Sequence, residues 1–218
     1  MPADLAPSPT LLAADDHPGG WDVASTVVSD RPGRGAVAVR VGPGRARRLE
    51  PGPLGPVLFE ARSDGRRITC ELWGPPATPR GEVETLMEAA RGWAGCRDSL
   101  DGYAAVASAH PVVAEMSRRL GPVRLSALPR VCEALGRSVL GQLVQAVEAR
   151  RSMVQVAALV GQAGPAGLWT WPDAARLEPF RGHRGRVARR LMRAAALRLV
   201  ERPERRSPRA ALSAPRYW

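Results

Sequence analysis

The apolar residues of this chain change period once, near Trp73, and that switch limits the fold more than any other feature of the sequence. Before it, residues 21–73 have the texture of strands. Residues 35–41 (GAVAVRV) form a β-branched run that ends at the turn Gly42-Pro43-Gly44. Residues 57–62, the turn Ser63-Asp64-Gly65 and residues 66–73 read as a β-hairpin. In its second arm Ile68, Cys70 and Leu72 alternate with Thr69, Glu71 and Trp73, one face for a core and one more exposed. The pairs Gly33/Gly35 and Gly42/Gly44 open no helix, so they read as hairpin turns and not as phosphate loops.

From Thr78 onward the period is helical. Thr78 and Pro79 suit an N-cap and a first-turn proline, followed by Val83, Leu86, Met87 and Ala90 on one stripe. His110-Pro111 starts a second helix that carries Val112, Val113, Met116 and Leu120 until Gly121 stops it. Pro129 opens a third, with Val131, Ala134, Leu135 and Val139 expected inward, and residues 145–160 continue helically. Residues 172–180 make a short helix. Residues 184–199 make a longer one, with Val187, Leu191, Ala195 and Leu199 on one stripe. The fold class expected is α+β with segregated halves. A flexible N-terminus over 1–20, rich in Pro, Ala, Asp and Gly, precedes a small antiparallel β-sheet domain with one or two helices over 21–108. A helical domain over 109–218 follows.

Charge separates the two ends. The chain carries 32 basic residues against 21 acids, a net of +11, and every basic residue is arginine. A GC-rich genome accounts for the bias, yet the absence of lysine excludes any Schiff-base lysine nucleophile. Residues 176–216 hold 13 arginines against Glu178, Glu201 and Glu204, a net of +10; residues 1–175 hold 19 arginines against 18 acids. Arg184, Arg186, Arg189, Arg190, Arg193 and Arg198 lie opposite the Val/Leu/Ala stripe of the 184–199 helix. That places a basic face toward polyanions, the alternative being a solvated face in an arginine-biased proteome. Cys70, Cys96 and Cys132 lie 26 and 36 residues apart and the three histidines are scattered. Reduced cytoplasmic thiols are expected, with no metal and no cofactor. No apolar run approaches the ~18–20 residues of a membrane span, and the N-terminus has acids where a signal peptide has basic residues, so neither membrane nor secretion is expected.

Local sequences then resemble those of a known family. Residues 131–161 (VCEALGRSVLGQLVQAVEARRSMVQVAALVG) resemble the opening helix pair of bacterial 3-methyladenine DNA glycosylase II, of the helix-hairpin-helix base-excision superfamily. The family's Ile/Val-Leu-Gly-Gln-Leu/Gln-Val segment between the two helices is matched by Val139-Leu140-Gly141-Gln142-Leu143-Val144. Residues 90–125 resemble its linker from the β domain, and LWTWPDAARLEPF and GHRGRVARRLMRAAA its following helices. The resemblance is good over 90–200 and architectural over the β part. It implies hydrolytic release of alkylated purines from double-stranded DNA, a partner that is damaged, and a cytoplasmic, nucleoid-associated place in base-excision repair. It also implies that Leu143 is an apolar wedge filling the gap left by a flipped nucleotide, with Gln142 the polar residue beside it. The alternative for Leu143 is a core leucine capping the helix pair. With the basic helix, the expected DNA-binding set is Gln142, Leu143, Arg184, Arg186, Arg189, Arg190 and Arg193.

The resemblance ends before the chemistry. The family continues with Leu-Pro-Gly-Ile-Gly-x-Trp-Thr-Ala, a hairpin that grips phosphate, and then a catalytic aspartate. Here Ala211-Leu212-Ser213-Ala214 is followed by Pro215-Arg216-Tyr217-Trp218, with no aspartate after Asp173. Glu201 and Glu204, on a Pro-interrupted loop, are poor substitutes. The expectation is an incomplete helix-hairpin-helix glycosylase domain that binds DNA without efficient excision, no residue being assigned as catalytic. Its rivals are an enzyme completed by another chain and an arginine-rich RNA- or ribosome-associated protein without activity.

Overall fold

A computed structural model describes residues 9–27, 38–121, 124–142 and 146–171. The expected helices over 172–180 and 184–199 lie outside these residues. Five strands, β1 (Thr10–Pro18), β2 (Val39–Gly42), β3 (Arg45–Gly52), β4 (Gly55–Ser63) and β5 (Arg67–Gly74), form one antiparallel sheet in the order β1-β5-β4-β3-β2. A single helical turn, α1 (Val23–Thr26), lies between β1 and β2. The helices α2 (Arg80–Trp93), α3 (Tyr103–Ser108), α4 (Pro111–Leu120), α5 (Val131–Gln142) and α6 (Ala146–Val160) follow β5. The α+β order read from the sequence holds.

The hairpin of β4 and β5 turns where it was expected. Asp64 Oδ1 accepts from the backbone N–H groups of Arg66 and Arg67, both at 2.8 Å, and Gly65 adopts φ +86°. Ile68, Cys70 and Leu72 are buried beside Val57, Phe59 and Ala61. Leu86, Met87, Ala90 and Trp93 of α2 cover them, the 3.6-residue stripe meeting the two-residue alternation. Phe59 and Trp93 meet at 6.5 Å between ring centroids, tilted by 51°.

Residues 45–52, inside the stretch read as strands though without apolar alternation, are β3; its core-facing side is Ala46, Arg48 and Glu50. Three expectations are corrected. Residues 10–18 are not a flexible start but the edge strand β1, held in register where Asp16 accepts from Thr69 Oγ1 at 2.7 Å and pairs with Arg67 at 2.8 Å. Thr78 caps nothing: α2 begins at Arg80, and the Thr78 hydroxyl donates to the carbonyl of Pro75 at 2.6 Å. Val131 and Leu135 are not inward but 75% and 60% exposed, because α5 turns Glu133 to the interior instead. α4 spans the residues expected of it, with Val112, Met116 and Leu120 exposed.

Trp93 is the largest fully buried side chain among the described residues, so Trp93→Ala is expected to lower unfolding free energy by about 3–5 kcal/mol. Urea denaturation followed by circular dichroism measures it, and a loss near zero would contradict the packing described.

Candidate nucleic-acid interface

The end of α5 at Gln142 is positioned by what holds that helix to the sheet. Arg48 of β3 is wholly buried. Its Nε donates to Glu50 Oε1 and its Nη2 to Glu133 Oε2 of α5, which is wholly buried as well. Arg137, one turn along α5, approaches Glu133 Oε1 at 3.0 Å, and Arg130 donates to Glu50 Oε2 at 3.0 Å and to the Pro51 carbonyl at 2.6 Å. Five charged side chains thus interlock between β3 and the start of α5. Burial of charge is tolerated only with such multiple pairing.

Two further ties complete the attachment. Trp21 Nε1 donates to the Ala94 carbonyl at 3.1 Å, and the Arg124 guanidinium stacks 4.2 Å over the Trp21 ring. Arg124 also donates to the Asp98 carbonyl, while Ala127 N–H returns to the Gly92 carbonyl at 3.1 Å. Gly95, at φ +82°, passes beneath this crossing; a Cβ there would lie 2.9 Å from Thr26 Cγ2 and 3.1 Å from Arg124 Cβ. On the opposite face of the sheet Leu168 packs on Leu49, Leu58 and Trp73. Trp169 and Trp171 pack against α6 at Met153, Val154 and Ala157, and Trp171 also meets Gly136 of α5.

α5 ends at Gln142 and α6 begins at Ala146; of the Val139–Val144 segment expected between the helices, Val139–Gln142 belong to α5, and residues 143–145 lie outside the described residues. The Gln142 side chain lies outside the described residues, as do Leu143, Arg184, Arg186, Arg189, Arg190 and Arg193. Sequence reasoning missed the buried charges. Their signal was present: an Arg and a Glu two apart in a strand must share a face, and Glu133 and Arg137 stand four apart on α5, one turn from each other.

A second charged array covers the outer face of the sheet, away from α2. Arg45, Arg62 and Thr69 stand opposite one another on β3, β4 and β5, with Arg47, Glu60 and Glu71 in the next row. Glu60, nearly buried, receives Arg45 at 2.5 Å, Arg47 at 2.6 Å and Arg62 at 3.7 Å; Arg62 also pairs with Glu71. Hydrogen bonds from Thr69 and Arg67 hold the Asp16 carboxyl below its ordinary range, and the N–H groups of Arg66 and Arg67 do the same for Asp64. In the core, the adjoining Cys96 thiol and burial push Cys70 far up, so it stays protonated at neutral pH. Among the described residues no three His, Cys, Asp or Glu side chains gather as a metal site, and no helix is long and apolar enough to cross a membrane.

Glu133→Gln is expected to cost about 3–5 kcal/mol, because it leaves Arg48 buried beside a neutral group. The double change Arg48→Met with Glu133→Leu is expected to recover most of that loss. Equal destabilisation by both variants would show that the charges do not act as a unit.

No protein-family model matches the chain, and no curated protein matches it. Among solved structures, a 3-methyladenine DNA-glycosylase from Archaeoglobus fulgidus superposes with a TM-score of 0.58 at 16% identity, covering 84% of this chain and 66% of that one. An 8-oxoguanine glycosylase/lyase from Clostridium acetobutylicum in its apo form superposes at TM-score 0.43 and 9% identity, covering 73% of this chain and 65% of that one. Its complex with double-stranded DNA containing cytosine opposite 8-oxoG gives TM-score 0.44 at 8% identity, with 75% and 66% covered. The Archaeoglobus superposition speaks for the fold; the two looser ones do not. The chain shares the α+β fold of that DNA glycosylase over most of its own length and spans about two thirds of that protein's.

Proposed function

We propose that this chain holds duplex DNA in the manner of a helix-hairpin-helix base-excision glycosylase, with alkylated or otherwise damaged DNA as its partner. Residues 176–216 supply the charge that neutralises phosphates, and the α5–α6 break, with Gln142 and Leu143, is directed to the opened base step. The observation that carries the proposal is one coincidence. A chain with a DNA glycosylase's fold concentrates a net +10 in one C-terminal stretch that follows that fold's helix pair. Phosphate contacts by arginine are indifferent to sequence, so binding should show little base preference.

Binding is tested through salt. Log K is expected to fall linearly with log salt at a slope of about −0.9 per phosphate neutralised. Changing Arg186, Arg189, Arg190 and Arg193 together to Gln should flatten that slope by about 3.6, four contacts at the same increment. A wild-type chain that does not retain duplex DNA would end the proposal, and an unaltered slope in the fourfold variant would remove the C-terminal stretch from it.

Base release is a separate question with its own measurement. Residues 174–218 offer only Glu178, Glu201 and Glu204 as carboxylates to stabilise developing positive charge on the sugar. Single-turnover incubation with duplexes containing 3-methyladenine or hypoxanthine, followed by alkali, is expected to reveal no abasic sites. Excision that vanishes with Glu201→Gln and Glu204→Gln would reverse this and make those glutamates catalytic.

A further inference from the structure

We propose that the uncovered half of the sheet's outer face binds the phosphodiester backbone of nucleic acid, giving duplex DNA a contact distinct from residues 176–216. The inference rests on the DNA-binding reading above and extends it to the β half.

At one end this face is covered, where Leu49, Leu58 and Trp73 lie under Leu168. The other end is open and lined with arginine. Arg40, Arg45, Arg47, Arg62 and Arg67 stand on it against three carboxylates, Glu60, Glu71 and Asp16. Glu60 alone serves three of the guanidinium groups, so two positive charges remain uncompensated. The adjoining turn adds Asp64 and Arg66, which leaves that excess unchanged. Arg40 is exposed and makes no ion pair among the described residues.

The carboxylates hold the guanidinium groups in place without covering them. Arg45, Arg62 and Arg67 remain 44%, 47% and 61% exposed at their side chains while each keeps a carboxylate partner. All three rim an open cleft of about 340 Å³ between the turn after β2 and the turn after β4. Their strands are neighbours, spaced about 4.8 Å apart; Arg45 and Arg62 stand opposite each other, and Arg67 lies two residues along β5 from the Thr69 that faces Arg62. A planar guanidinium already ordered by one anion loses less side-chain freedom on meeting a second, and its remaining donors match a phosphate. Asp64, the one acid lining the cleft, accepts through Oδ1 from two backbone N–H groups. Among the described residues no aromatic side chain lines the cleft on which a base could stack, so the match is to the phosphate backbone and to no particular base.

The experiment measures duplex binding by fluorescence anisotropy over a salt series, with the full chain, Arg67→Gln, and Arg45→Gln combined with Arg67→Gln. The salt slope is expected to flatten by about 0.9 for the single variant and about 1.8 for the double one. These changes should add to that of the fourfold C-terminal variant. Arg67 is the most exposed of the three, so its replacement keeps the test valid should the double variant fold poorly. Slopes identical to wild type in both variants would overturn the inference and leave the C-terminal reading standing. A wild-type chain that does not bind duplex DNA would overturn both.

Discussion

The pairing of Arg48 with Glu133 is the constraint on which the joining of the two halves depends. Both side chains are shut away from water, and taking each ion out of solvent costs several kcal/mol before any attraction is counted. Only multiple pairing offsets that cost, and Glu50, Arg130 and Arg137 supply it. An apolar contact between a helix and a sheet tolerates sliding and rotation. A buried ion pair does not, because a displacement of one residue turns a side chain about 100° around the helix and leaves both charges bare. The cluster therefore sets the rotation of α5 as well as its attachment, and through α5 the place where that helix ends at Gln142.

The sheet is held from both sides. α5 reaches its inner side at β3, Leu168 reaches its outer side at Leu49 and Leu58, and residues 124–127 close on the end of α2. Gly164 belongs to the same grip, since a Cβ there would come within 2.5 Å of Leu49 Cδ2. The β half is thus a platform for the helix pair and not an appendage to it. Among the described residues the outer face is gripped only at its Leu49 end, and Arg45 and Arg62 beyond it stay exposed to solvent.

Arginine has two roles in this chain. Among the first 137 residues the arginines buried at the β3–α5 junction answer carboxylates, Arg124 stacks on Trp21, and the balance of charge is close to neutral. Beyond residue 175 the acids nearly disappear. Paired arginine builds the fold, and an excess of arginine over acid in the sequence is the charge distribution that attracts polyanions.

The sequence by itself determined what depends on near neighbours. The turn at Ser63-Asp64-Gly65, the alternation of Ile68, Cys70 and Leu72, the start of α4 at Pro111, the break between α5 and α6 and the basic C-terminal stretch were all legible, because turn chemistry, periodicity and charge density act within a few residues. Tertiary structure alone decided the rest. Residues 10–18 became a strand because β5 offered them an open edge, and Arg48 and Glu50 went inward because Glu133 and Arg130 met them from some 80 residues away. Val131 and Leu135 faced outward for the same reason: the lowest-energy rotation of α5 is the one that pairs its glutamate, and the free energy of a charge depends on its partners more than on its place in the chain.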